Sequence, residues 1–160
     1  MKKSCINRFD FAFSAISENE SVARSLVAVA ISTLDPTVEE LADVRCAVSE
    51  AVTNAVVHGY KNGAVGEGKR EGRVYISVRL YKDRSALIEV RDRGVGIADI
   101  ARAREPLYTT DESGERSGMG FAVMEAFTDS VRVFSRVGHG TRVTLLKRFS
   151  AQKKAEGADM

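Results

Sequence analysis

Between Asn7 and Ser14 the chain alternates Phe9, Phe11 and Phe13 with polar or small residues, the period-2 pattern of a half-buried strand. Ser17-Glu18-Asn19-Glu20 follows and fits a capping box, in which the Ser17 and Glu20 side chains satisfy backbone N–H groups at a helix start. Val22, Leu26, Val27, Ala30 and Leu34 then recur at helical spacing, and the pattern stops at Asp35-Pro36 because proline disfavours helix in the residue before it. A second helix is predicted from about Thr37 to His58, with Leu41, Val44, Val48, Val52 and Ala55 on one side and Gly59 as its C-terminal cap. The glycine-rich, charged stretch from Tyr60 to Gly72 reads as a mobile surface loop. Val74, Ile76, Val78 and Leu80 alternate, as do Ala86, Ile88 and Val90, and the turn Lys82-Asp83-Arg84-Ser85 between them predicts an antiparallel hairpin.

Residues 92–120 break this regularity. They are rich in glycine and hydroxyls, with room for only a short helix around Ile97 to Arg104, and such a segment inside a compact domain is functional or disordered. Phe121, Val123, Met124 and Phe127 then suit a short buried helix. A last hairpin is predicted from Val131–Val137 and Thr141–Phe149 around Gly138-His139-Gly140. Strand, helix, helix, two strands, irregular segment, helix and two strands is not a strict alternation. That order favours an α+β two-layer sandwich, a mixed and mostly antiparallel sheet with helices on one face. The expected division is one domain over residues 1–149 and a polar, disordered tail over 150–160.

Composition narrows the function classes. The 160 residues carry 24 Lys and Arg against 22 Asp and Glu, a formal charge of +2, too small to point to nucleic acid or a membrane surface. Apolar stretches such as Leu26 to Ile31 fall far short of the ~20 residues that cross a bilayer, and the basic N-terminus lacks the apolar run of a signal peptide. The chain is therefore expected in the cytoplasm. Two cysteines, Cys5 and Cys46, stand far apart as reduced thiols, and two histidines give no ligand set for zinc.

Four segments could carry chemistry. Gly63 to Lys69 matches GxxxxGK, but Arg70 replaces the hydroxyl residue and no strand precedes it, so it reads as a solvated loop. On the long helix, Asn54 lies about 40° round from Glu50 at about 100° per residue, on a polar flank beside the apolar stripe. A carboxylate and a carboxamide there could hold a metal-bound phosphate and a hydroxyl, or form an ordinary exposed face. Arg91-Asp92-Arg93-Gly94-Val95-Gly96 sits at the end of a predicted strand. Ionised Asp92 only accepts hydrogen bonds, which suits the exocyclic amine of a purine, although Asp-x-Gly-x-Gly alone is a common turn. Arg116-Ser117-Gly118-Met119-Gly120 opens the last helix, where exposed N–H groups and the helix dipole favour phosphate.

In that order, the Asn54 helix, the Asp-x-Gly-x-Gly turn and the Gly-x-Gly helix start resemble the GHKL/Bergerat ATP-binding fold, and Gly140-Thr141 resembles its last box. Ser49 to Tyr60, Asn19 to Arg24, Leu34 to Thr37, Pro106 to Thr110 and Glu115 to Phe121 are similar, more narrowly, to the anti-sigma F factors of spore-forming bacteria, over about residues 9–149. Two departures are a longer 60–72 loop and Arg93 where an acidic residue is common. The resemblance implies ATP and Mg²⁺ as cofactors, serine kinase activity on a small anti-anti-sigma factor, sequestration of sigma factor F, and a homodimer, with no direct nucleic acid and no membrane.

Carried over by the same resemblance, Glu50 would be the general base, Asn54 the Mg²⁺ ligand and Asp92 the adenine anchor. Gly94 and Gly96 would shape the base pocket, and Gly118 and Gly120 would offer N–H groups to the phosphates. Thr109, Thr110, Arg116 and Ser117 would belong to a lid over the nucleotide, with Arg116 at the γ-phosphate. Thr141 would support the adenine side and Arg24 the partner-binding surface. The alternatives are a stress-response-type anti-sigma kinase, a nucleotide-gated sigma-binding module without transfer, and the catalytic domain of a histidine kinase. Neither His58 nor His139 suits the phosphoacceptor role that the last would require.

Overall fold

The computed structural model describes residues 4–60, 72–107 and 118–151. The GxxxxGK stretch, the body of the 60–72 loop, the sites Thr109, Thr110, Arg116 and Ser117, and residues 152–160 of the expected tail lie outside the described residues. The elements run β1 (Cys5–Ser14), α1 (Asn19–Ser32), α2 (Val38–Thr53), a π-helical segment (Asn54–Gly59), β2 (Arg73–Tyr81), β3 (Ser85–Arg91), α3 (Ile100–Ala103), α4 (Gly120–Phe127), β4 (Ser130–Arg136) and β5 (Gly140–Arg148). The strands form one sheet in the order β1-β2-β3-β5-β4. The expected α+β sandwich is present, and in its sheet, expected to be mixed and mostly antiparallel, each of the four pairings is antiparallel.

Register explains the layers. Phe9 pairs with Val78 and Val78 with Ile88, Ile88 pairs with Leu145, and Leu145 with Val131. The next row runs Phe11, Ile76, Val90, Val143 and Val133. Because side chains alternate across a strand, these rows make one apolar face, on which α1, α2 and α4 pack. Val27, Ile31, Val44, Val48, Val52 and Met124 are fully buried there, each worth about 1.5–3 kcal/mol of transfer free energy. On the opposite face Arg8, Asp10, Tyr75, Ser77, Glu89 and Arg91 line a shallow cleft, with the Arg91 and Arg93 guanidinium groups 5.0 and 5.1 Å from the Tyr75 ring centre.

Three expectations are corrected. The Ser17 capping box does not form: α1 begins after Glu18 with no side-chain cap, and the Glu20 carboxylate turns to α2, where Oε2 accepts from the Thr53 hydroxyl at 2.7 Å. The buried stripe of α1 is Ala23, Val27, Ala30 and Ile31, whereas Val22 and Leu26 are about half exposed, at 50% and 44%. Gly59 is no left-handed cap; it ends the π segment, and Tyr60 follows with φ −114°. The box that does form starts α2. Thr37 Oγ1 accepts from the Glu40 N–H at 3.1 Å and Glu40 Oε2 from the Thr37 N–H at 3.0 Å.

Candidate functional site

The site is built around the end of α2. Glu50 lies in its last turn, and Asn54 begins the π segment, so both side chains leave the helix beside the start of α4. Their closeness to α4 is measured by Gly120. A Cβ there would stand 3.0 Å from Glu50 Oε2 and 3.4 and 3.5 Å from the Asn54 carboxamide atoms. A side chain at 120 would therefore press on the Glu50 carboxylate, which would have to give by a few tenths of an ångström. Gly118, two residues earlier, has φ 66°, and its carbonyl accepts from the Leu107 N–H at 3.2 Å.

Asp92 stands at the other end of the π segment. It follows β3, is 5% exposed, and its Oδ1 accepts from the N–H groups of Gly94 at 2.8 Å and Thr141 at 3.3 Å. A Cβ on Gly59 would lie 3.0 Å from the Asp92 carboxyl, and one on Gly94 would overlap the Gly59 carbonyl, so the strand end is folded tightly against the π segment. The Val95 N–H donates to that carbonyl at 3.0 Å. Burial raises the Asp92 pKa above its ordinary value, and the N–H groups of Gly94 and Thr141 offset part of the rise. Both of these hydrogen bonds land on Oδ1; a ligand donor would meet Oδ2. A desolvated acceptor of this kind gains most from a donor such as an aromatic amine.

The turn after Asp92 is stitched to the β4–β5 hairpin. Gly96 takes φ 75°, a conformation that disfavours side chains. The Ile97 N–H donates to Ser135 Oγ at 2.7 Å, which bonds Thr141 Oγ1 at 2.8 Å, and the Gly138 N–H donates to the Val95 carbonyl at 2.7 Å. Thr141 therefore reaches Asp92 through its backbone and Ser135 through its hydroxyl.

Sequence reasoning missed two residues here. Ser135 is one small polar residue in an alternating strand, with no signal to set it apart. Tyr60, assigned to a surface loop, is buried; its hydroxyl donates to the Arg73 carbonyl at 2.7 Å and accepts the Arg93 N–H at 2.6 Å. Gly72 makes room for the ring, since a Cβ there would stand 2.6 Å from Tyr60 Cγ. The signal was an aromatic residue directly after the helix, with a glycine just before the next strand.

The structure thus gathers Glu50, Asn54 and Gly120 at one end of the π segment, and Asp92, Gly94, Gly96 and Thr141 at the other. Arg24 lies apart on α1, half-buried, with Nη1 3.4 Å from Ser49 Oγ. His139 is exposed in the last turn. Among the described residues no cluster of three or more His, Cys, Asp and Glu could hold a metal ion, and no helix is long and apolar enough to cross a membrane.

The profile of the histidine kinase-like ATPase domain matches residues 13–147. An anti-sigma F factor of Clostridium acetobutylicum is 49% identical over 144 residues, covering 90% of this chain and 95% of the relative. One of Priestia megaterium is 48% identical over 147 residues, covering 92% and 96%, and one of Pasteuria penetrans is 49% identical, covering 92% and 94%. Among solved structures, the RsbU and RsbW domains of a Mycobacterium tuberculosis protein superpose with a TM-score of 0.61 at 21% identity, over 89% of this chain and 32% of that one. The histidine kinase domain of a blue-light activated kinase of Erythrobacter litoralis gives 0.52 at 18%, over 81% and 61%. The fold and the matched profile define a histidine kinase-like ATPase domain, whose ligand is ATP. The chain belongs to that family and, within it, to the anti-sigma F factors.

Proposed function

We propose that this chain is an anti-sigma factor that holds sporulation sigma factor F and that, as an ATP-dependent serine kinase, phosphorylates and inactivates an anti-anti-sigma factor. The observation that carries the reading is the meeting of Glu50 and Asn54 with the Gly120 helix start, while Asp92 closes the far end of the same segment. That spacing offers one end to an adenine and the other to phosphates. The near-half identity to anti-sigma F factors over nearly their whole length supports the choice of partners.

The donor set fits nucleotide and cation. Asp92 is a buried acceptor for the adenine amine, the N-terminus of α4 suits phosphate oxygens, and Asn54 Oδ1 is a hard oxygen ligand for Mg²⁺. Bound Mg²⁺ would supply charge neutralisation on the phosphates. Glu50 takes the proton of the substrate serine as its oxygen forms a bond to the γ-phosphorus. The bond from that phosphorus to the bridging oxygen breaks, and ADP keeps the electron pair. Arg116, outside the described residues, is assigned to the γ-phosphate, and Thr109, Thr110 and Ser117 to the nucleotide lid. Residues 1–149 act as one domain in the cytoplasm. Arg24 presents the exposed part of its side chain to the protein partners. β1 is an edge strand and pairs with its mate in a homodimer, which covers the β1 edge of each protomer.

Replacing Glu50 with Gln tests the catalytic part. Transfer of labelled phosphate to the anti-anti-sigma factor should disappear while ATP affinity holds. Transfer that persists removes Glu50 as the base. A wild-type chain that binds ATP and sigma factor but never forms phosphoserine is a nucleotide-gated binder, not a kinase.

A further inference from the structure

Two side-chain links run from α1 to α2, and each lands one residue before a proposed site residue. Thr53 Oγ1 donates to Glu20 Oε2 at 2.7 Å, and Thr53 directly precedes Asn54. Arg24 Nη1 reaches Ser49 Oγ at 3.4 Å, and Ser49 directly precedes Glu50. The first link is the shorter, and it sits where the α-helix gives way to the π segment.

That junction has to be held in place. A π segment is a local unwinding that the chain rarely adopts, and the residue at which it begins fixes the direction of every side chain after it. Threonine inside a helix ordinarily turns its hydroxyl back to a carbonyl three or four residues earlier. Thr53 instead spends its donor on a carboxylate of another helix. Its β-branched side chain has few rotamers, so a bond at Oγ1 fixes the backbone as well. Glu20, for its part, gives up the capping role that its sequence position suggests.

We propose that Glu20 and Thr53 form a positioning pair: they pin the α2–π junction so that the Asn54 carboxamide stays beside Glu50 and Gly120, and so set how much a divalent cation strengthens nucleotide binding. The pair touches no substrate and acts through Asn54. The proposal rests on the reading of Asn54 as the cation ligand. It ties α1, the helix that carries Arg24, to the phosphate end of the site.

The test uses the full chain with ADP and MgCl₂. Thr53→Val keeps the side-chain shape and removes the donor; Thr53→Ser restores the donor; Glu20→Ala and Glu20→Gln remove and restore the acceptor. Without any ligand, hydrogen exchange at the amides of residues 54–60 should rise roughly tenfold in Thr53→Val and Glu20→Ala, and stay at the wild-type rate in the two restoring variants. By calorimetry, the gain in ADP affinity brought by Mg²⁺ should fall roughly tenfold in the same two variants. ADP affinity without Mg²⁺ should not change. The double variant Glu20→Ala, Thr53→Val should be no worse than either single one. Wild-type exchange and an undiminished Mg²⁺ gain in Thr53→Val would overturn the proposal, as would an equal loss with and without Mg²⁺, the mark of a merely structural role. A wild-type chain that binds ADP with no gain from Mg²⁺ removes the pair's function while leaving the nucleotide site. A wild-type chain that binds no ADP sinks the nucleotide reading itself.

Discussion

Replacing Asp92 with Asn separates what burial costs the free protein from what the carboxylate does for a ligand. The side chain is 5% exposed, and Oδ1 serves two backbone N–H groups, a role that the amide oxygen of Asn can keep. What changes is Oδ2, replaced by an NH₂ that repels the adenine amine. A hydrogen bond to a charged acceptor is worth about 1.5–3 kcal/mol net, so ADP affinity should fall by roughly 10- to 150-fold.

The free protein should respond in the opposite sense. Burial raises the folded-state pKa of Asp92 above its ordinary value of 3.8, so the group lowers stability as pH rises from about 3.8 through its folded pKa. Asn does not ionise, and the variant should be at least as stable as wild type at neutral pH by urea unfolding. On the proposed reading adenine binds the ionised form, so wild-type ADP affinity should drop as pH falls through that raised pKa, and the part of the drop due to Asp92 should be missing in Asp92→Asn. Isothermal calorimetry over a pH series measures both. Equal ADP affinity in the two proteins, or a variant that unfolds first and loses ligand only as a consequence, would refute the reasoning.

Gly120→Ala places a methyl 3.0 Å from Glu50 Oε2 and should cut phosphoryl transfer by more than about tenfold while the chain stays folded, as read by labelled-phosphate assay and circular dichroism. Tyr60→Phe strands the Arg93 N–H and the Arg73 carbonyl beside a buried ring and should lower unfolding free energy by about 1–3 kcal/mol in urea. Burial pushes the Glu40 pKa up, but the hydrogen bonds from Ser150 and Thr37 outweigh it and hold the carboxyl below its ordinary value. Its contribution is therefore present above about pH 4.5 and lost as pH falls through the lower folded pKa, so Glu40→Gln should flatten the acid limb of stability.

The parts of this fold that could be read from sequence are those with a strong period. The β2–β3 hairpin and the core of α2 stand where the alternation of Val74 to Leu80 and the spacing of Val44, Val48 and Val52 put them. The Ser17-Glu20 spacing was legible as a capping box but none forms there, because the Glu20 carboxylate bonds Thr53, a contact 33 residues distant. Val27, Ala30 and Leu34 are buried where the helical spacing puts them, whereas Val22 and Leu26 stand half exposed and Ala23 and Ile31 complete the buried face. Nothing in the local sequence marks the π segment. The glycines at 94 and 120 were legible as permissive residues, but which backbone or side chain they admit became clear only once the strands and helices were assembled.

The most direct test of the central claim is amide hydrogen exchange of the whole chain with and without ADP and Mg²⁺. Simultaneous protection at residues 54–60, 92–97 and 118–121 is the predicted result, because three distant stretches of sequence then close on one ligand. Protection confined to the open sheet face around Arg8, Ser77 and Arg91, with those three stretches unchanged, would contradict it.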